Sequence, residues 1–284
     1  MLLDSANAEA ASQLAADNGW DAVRSVGFNE ASLAGVIDLA RAAFAAGRPA
    51  ESAVLDSFHA NKIVRELITT CFDYWRGNFS TIRSRDHLFS APQLELWMVR
   101  SWDCINDDGF PLYLQRFERV LRVNGFGDRF PKALVQAFSE MIENVVRHSS
   151  SSGSPSAGVI GYHVANGATS FVVADVGQGV LSGLRNNLRW RHLADEQAAL
   201  VATARDGATR MTNEVEGFGF KRVFKSFLER EGLLALRSCD GAAVFRGNTD
   251  RKSVETYPCA YVPGLRVSIS LALKSPAKEL KLIY

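Results

Sequence analysis

The chain of 284 residues holds only four cysteines, Cys71, Cys104, Cys239 and Cys259, and no two form a CxxC pair. That scarcity excludes a disulfide framework or a zinc site as the organising element and makes a reducing cytosol the expected compartment. Charge of one sign is equally short: 32 Lys and Arg stand against 31 Asp and Glu, a formal net charge of +1. No global field therefore steers the protein towards nucleic acid or an anionic membrane. No apolar run approaches the ~20 residues of a membrane span. Met1-Leu-Leu-Asp4 meets an acidic residue at once, so no signal peptide is expected. There are no internal repeats, and the one low-complexity tract is Ser149-Ser-Ser-Ser-Gly-Ser-Pro155. What remains is 47% hydrophobic and 22% charged, the balance of a soluble cytoplasmic protein able to bury a full core.

The first third reads as helical. Ala6–Asn18 is alanine-rich, Glu30–Ala46 carries apolar residues at helical spacing until Gly47-Arg-Pro49, and Glu51–Tyr74 is a long amphipathic run. From about Leu88 the texture changes. Gln93–Val99 alternates like a half-buried strand, whereas Phe110–Val123 and Phe130–His148 read as helices. Val159–Val164 and Ala168–Ala174 form a hairpin pattern across Ala165-Asn-Gly167. Leu193–Ala204 and Gly219–Glu229 read as helices, and Leu233–Cys239, Ala242–Phe245 and Leu265–Leu273 as closing strands. The sum is an α+β sandwich with helices layered on one face of a mixed sheet.

Three short segments carry chemistry. On the helix Phe130–His148, Leu134, Phe138, Met141, Ile142 and Val145 share an apolar arc, while Glu140, Asn144, Arg147 and His148 share another. Most polar arcs are solvated faces, but Asn is a poor interior helix residue. One turn beyond a Glu, Asn144 suits a divalent-metal ligand beside a carboxylate. Next, the apolar run Phe171-Val-Val-Ala ends in Asp175-Val-Gly177-Gln-Gly179. An acid at the end of a buried strand can accept a hydrogen bond from an exocyclic amine, and glycines allow close backbone approach; an ordinary turn is the plain alternative. Finally, Gly217-Phe-Gly219-Phe opens a helix, where exposed N–H groups can hold phosphate. Between these, Leu181–Val215 is slightly basic, with Arg185, Arg189, Arg191 and Ala208-Thr209-Arg210, and suits either a mobile lid or a surface excursion.

In order and spacing, Glu140-x-x-x-Asn144-x-x-x-His148, Asp175-x-Gly177-x-Gly179 and Gly217-x-Gly219 resemble the N box and two glycine boxes of the GHKL ATPases. The resemblance spans about Leu88 to Leu273 and implies a Bergerat-type α/β sandwich binding Mg-ATP. It implies Asn144 as the Mg²⁺ ligand, Asp175 as acceptor for the adenine amine, and Arg147 as a phosphate contact, with His148 and Thr209 lining the nucleotide. Gly177 and Gly179 would shape the adenine side and Gly217 and Gly219 the phosphate side. Glu140 falls where the ATPase and anti-sigma-kinase branches carry a general base. Leu265 stands where a Thr is common, and Phe220 where a Leu is.

The expected organisation is a helical interaction or dimerisation region over residues 1–87, then a histidine-kinase-like ATP-binding domain over residues 88–284 with a lid at about 180–216. Two functions compete: a regulatory protein kinase or ATPase using Glu140, or a nucleotide-gated binding switch with little turnover. A protein partner and a homodimer are expected, nucleic acid and membrane are not. For a histidine kinase, His59 is the helical acceptor candidate, but no acidic residue follows it; His87 lies in the presumed linker.

Overall fold

Short connections dictate much of the topology. The computed structural model of the chain describes residues 2–3, 30–31, 33–45, 69–71, 73–75, 87–91, 94–99, 109–127, 129–148, 158–165, 167–208, 232–247 and 254–272. β1 (Leu2–Leu3) and β2 (Glu30–Ala31) form a two-residue parallel pair. The main sheet comprises β3 (His87–Ala91), β4 (Leu94–Val99), β5 (Gly158–Ala165), β6 (Ala168–Asp175), β7 (Gly232–Arg246) and β8 (Val254–Ala272). Its order is β3-β4-β5-β6-β8-β7. Three of its pairs, β3–β4, β5–β6 and β7–β8, join consecutive strands through connections too short for a parallel crossover. All five pairings in this sheet are antiparallel, which corrects the expectation of a mixed sheet.

Among the described residues the sheet is accompanied by the helices α1 (Leu33–Ala45), α2 (Gly109–Val123), α3 (Arg129–His148), α4 (Val180–Leu184) and α5 (Glu196–Asp206). α2 buries Phe110, Tyr113, Phe117 and Leu121, a single stripe at helical spacing. Its end is fixed by Gly125 at φ 90°, while Asn124 Nδ2 donates to the Val120 carbonyl at 2.8 Å. α3 buries Leu134, Phe138, Met141 and Ile142 of the apolar arc expected of it. These stripes meet Trp97, Ile160, Tyr162, Phe171, Val173 and Ile269 of the sheet in one aromatic-rich core. The Phe117 and Tyr162 rings stack at 4.4 Å, and Phe138 sits 4.8 Å from Phe171.

The other face of the sheet is covered too, so the expectation of helices on one face is corrected. β6 is buried continuously from Phe171 to Asp175, and a strand apolar on both sides needs cover on both. α1 supplies it, packing on β8, β6 and β5. Gly161 makes room for this contact: a β-carbon there would stand 3.3 Å from Leu33 and 3.1 Å from Leu96. The end of the amphipathic run also docks, because Tyr74 is buried and its hydroxyl donates to the Val99 carbonyl at 3.1 Å. Among the described residues no helix is long and apolar enough to cross a membrane.

The last two strands are longer than the sequence pattern suggests. Leu233–Cys239 and Ala242–Phe245 are one strand, β7, interrupted by bulges at Cys239, which holds φ 48°. β8 begins at Val254, eleven residues before the expected Leu265. Pro258 obscures it, yet Pro258 lies where β8 pairs with β7 alone, so no second ladder needs its missing N–H.

Candidate functional site

The acidic end of β6 is the best-defined part of the site. Asp175 is 8% exposed, although it closes an apolar strand. Its Oδ1 accepts hydrogen bonds from the backbone N–H of Gly177 at 2.8 Å and of Leu265 at 3.3 Å. Oδ2 has no hydrogen-bond partner among the described residues. Strand alternation puts Asp175 on the face of Phe171 and Val173, the face that α3 covers. Burial raises the Asp175 carboxyl above its ordinary range, opposed by the Gly177 N–H, the charge of Arg41 and the Leu265 N–H.

Gly264 makes this arrangement sterically feasible. It adopts φ 79°, and a β-carbon on it would overlap both the carbonyl oxygen and Oδ1 of Asp175. Gly264 therefore serves the site although none of the three motifs contains it. The available signal was a glycine beside a proline within a strand pattern, which marks close backbone approach.

Beneath Asp175 lies a buried charge cluster. Asp38 and Arg41 of α1, Arg237 of β7 and Arg266 of β8 are each no more than 2% exposed. Arg41 donates from Nη1 to Asp38 Oδ1 at 2.9 Å and from Nη2 to the Pro263 carbonyl at 2.7 Å. Arg266 Nε lies 2.9 Å from Asp38 Oδ2, and Arg237 Nη1 reaches the same oxygen at 3.4 Å. Burial would raise the Asp38 carboxyl, but the charges of Arg266, Arg237 and Arg41 outweigh it and hold it below its ordinary value. The sequence reading missed these residues, because an Asp and an Arg three apart on an alanine-rich helix look like a solvated pair.

The two glycines after Asp175 have different duties. Gly177 lends its N–H to Asp175. Gly179, at φ 83°, faces β7: a β-carbon there would overlap Cys239 Sγ and stand 2.9 Å from Glu196 Oε1. The Val180 N–H donates to Ser238 Oγ at 2.9 Å, and Glu196 accepts from the Leu181 N–H at 3.2 Å. Burial raises the Glu196 carboxyl, offset by hydrogen bonds from the Leu181 N–H and from the side chains of Ser238 and Cys239. Gly179 thus permits close packing of the post-strand turn on β7.

The segment after Gly179 is built into the fold through residue 208. Asp195 caps α5 by accepting from the Ala198 N–H at 2.7 Å, and Gly207 ends it at φ 69°. Leu200 and Ala204 enter the main core, and Leu184, Ala199, Ala202 and Ala208 form a satellite cluster. The expected basic residues lie on its surface: Arg185 and Arg191 are exposed, and Arg189 rests 4.8 Å over the Trp190 ring.

Glu140 is half-buried on α3, and the helical backbone continues through Asn144, Arg147 and His148. Thr209, Gly217 and Gly219 lie outside the described residues, as does His59. His87 is the first residue of β3, paired with Trp97, and not part of a helix. Among the described residues no three His, Cys, Asp or Glu side chains converge on a metal-sized site. One Asn with phosphate oxygens and water does not require such a group.

No family model, curated protein or solved structure matches the chain.

Proposed function

We propose that the protein binds Mg-ATP in a GHKL-type pocket between α3 and the end of β6. The observation that carries this reading is Asp175, a buried carboxylate with Oδ1 engaged by two backbone N–H groups, whose Oδ2, without a hydrogen-bond partner among the described residues, would accept from the adenine amine. In this reading Asn144 and Glu140 of α3 would act on the same nucleotide as Asp175. Asn144 would hold Mg²⁺ together with phosphate oxygens and water, and the metal would neutralise phosphate charge. Arg147, His148, Thr209, Gly217 and Gly219 complete the phosphate side in this reading, and Gly177 the adenine side.

The reaction we favour is phosphoryl transfer by a regulatory protein kinase or ATPase. Glu140 would take the proton of an attacking hydroxyl or water as its oxygen bonds the γ-phosphorus, and ADP departs with the bridging oxygen. A nucleotide-gated switch with little turnover is the second reading. It is favoured by the packing of residues 180–208, because a lid anchored by Leu200 cannot swing as a whole over the phosphates. A protein partner and a homodimer fit either reading.

The test is calorimetric titration of ATP with and without Mg²⁺, using wild type, Asp175→Asn and Asn144→Ala. Wild type should bind, Asp175→Asn should lose at least about tenfold in affinity, and Asn144→Ala should lose its Mg²⁺ dependence. Absence of Mg²⁺-dependent binding by wild type rejects the site. With radiolabelled ATP, a labelled partner indicates a kinase and phosphate release an ATPase. Equal release by wild type and Glu140→Ala removes Glu140 from the chemistry, and tight binding without turnover selects the switch.

A further inference from the structure

Among the described residues, the cluster of Asp38, Arg41, Arg237 and Arg266 brings together three guanidinium groups and one carboxylate, all removed from water. Buried ion pairs are costly to desolvate, and apolar residues of similar volume often serve stability as well or better. The geometry shows where this cluster is directed. Arg41 joins Asp38 to the Pro263 carbonyl; Gly264 follows, packed on Asp175, and the next N–H, that of Leu265, bonds Asp175 Oδ1. The next residue, Arg266, returns to Asp38. Residues 263–266 are thus clamped at both ends by α1 and touch Asp175 in the middle.

We propose that Arg41 is a positioning and specificity-determining residue for the Asp175 site. Through the Pro263 carbonyl it fixes residues 263–266, and with them the Leu265 N–H, against Asp175 Oδ1, and the carboxylate position so held selects ligands offering an exocyclic amine.

The chemistry follows from the two forms of a carboxyl group. Ionised, it only accepts hydrogen bonds; protonated, it donates from one oxygen. At position 6 of a purine, an exocyclic amine requires the first form, whereas a 6-oxo oxygen is served by the second. Burial raises the Asp175 carboxyl, and the Gly177 N–H, the charge of Arg41 and the Leu265 N–H oppose this. Arg41 in turn feels both Asp38 and Asp175. Among the described residues, Arg41 is the charged side chain whose field Asp175 feels, and Arg41 itself faces Asp38, Arg237 and Arg266. His163 lies towards the opposite end of β5, paired with Ser170. The specificity step rests on the adenine reading, but the positioning step does not.

The experiment is a ¹³C-carboxyl NMR titration of Asp175 in the ligand-free full chain. Arg41→Gln should raise the Asp175 midpoint. Arg237→Gln, which loses contacts to Asp38 and the Ala260 carbonyl, should leave it near the wild-type value. No rise in Arg41→Gln, or a rise in Arg237→Gln as large or larger, overturns the proposal. Should Arg41→Gln fail to fold, Arg41→Lys carries the test by hydrogen exchange. Lysine keeps the charge but cannot bridge Asp38 and Pro263 in the same fork, so the Leu265 amide should lose protection relative to Val267 and Ile269. A uniform change, or none, overturns the positioning role. Competitive binding of ATP and ITP reads the specificity role: the preference for ATP should fall about tenfold in Arg41→Gln. An unchanged preference overturns that role. If wild type binds neither nucleotide, the adenine reading fails, and the midpoint and exchange data decide positioning alone.

Discussion

Gly264 and Asp175 lie 89 positions apart in sequence, yet the bare α-carbon of the glycine rests directly on the main chain and carboxylate of the acid. No other residue fits: the φ of 79° disfavours a side chain, and Asp175 occupies the space that one would fill. Gly264→Ala should therefore destabilise the protein by about 1–3 kcal/mol and displace the carboxylate from its Leu265 N–H. Urea unfolding with parallel ATP titration measures both effects. Unchanged stability together with unchanged affinity would contradict the contact.

Asp38 is the anionic centre of the α1–β7–β8 cluster. Replacing it by Asn leaves three buried guanidinium groups without their common carboxylate, and should cost about 3–5 kcal/mol near neutral pH. The pH dependence has a definite sign. Burial alone would raise the Asp38 carboxyl, but Arg266, Arg237 and Arg41 bring the folded-state value below the ordinary 3.8. Its stabilisation is present above pH 3.8 and lost as pH falls through the lower folded-state value. Unfolding curves of wild type and Asp38→Asn should converge in strong acid. A constant gap at every pH would refute the linkage.

Asp175 should behave in the opposite way. Burial raises its folded-state carboxyl above the ordinary 3.8 despite the Gly177 N–H, Arg41 and the Leu265 N–H. A group raised on folding contributes its full stability below pH 3.8 and loses it as pH rises through the folded-state value. Asp175→Asn, which keeps an oxygen for the two N–H donors, should therefore gain stability relative to wild type as pH rises towards neutrality. It should lose nucleotide affinity at the same time, the exchange of function against stability expected of a binding site. Urea midpoints across pH 3 to 7 provide the check, and parallel curves would exclude a raised Asp175.

Leu200 distinguishes an integral helix from a loose cover. It is fully buried at the junction of α5 with the main core. Leu200→Ala should cost about 2–5 kcal/mol, the usual penalty for a buried leucine truncated in a packed core. A segment that swings freely would show almost no loss. Thermal unfolding separates these outcomes, with a shift of several degrees expected for the integral helix.

Much of the secondary structure was legible because local patterns govern it. α2 and α3 follow from apolar residues at helical spacing, and the β5–β6 hairpin follows from alternation across Asn166-Gly167. β8 was half hidden, since a proline argues against a strand unless its open side is known. The Asp175 segment was legible as an acid ending an apolar run. The contribution of α1 was not, because the partners of Asp38 and Arg41 lie some 200 positions away.

The sequence by itself determined the α+β class, the apolar faces of α2 and α3, and the acid at the end of β6. These depend on periodicities and on the chemistry of neighbours along the chain. Tertiary structure alone decided that the sheet is antiparallel and covered on both faces, that Gly179 packs on β7, and that α1 clamps residues 263–266 beneath Asp175. Each of these depends on residues distant in sequence meeting at a few ångströms, where the exclusion of volume and the loss of water fix what a side chain can do.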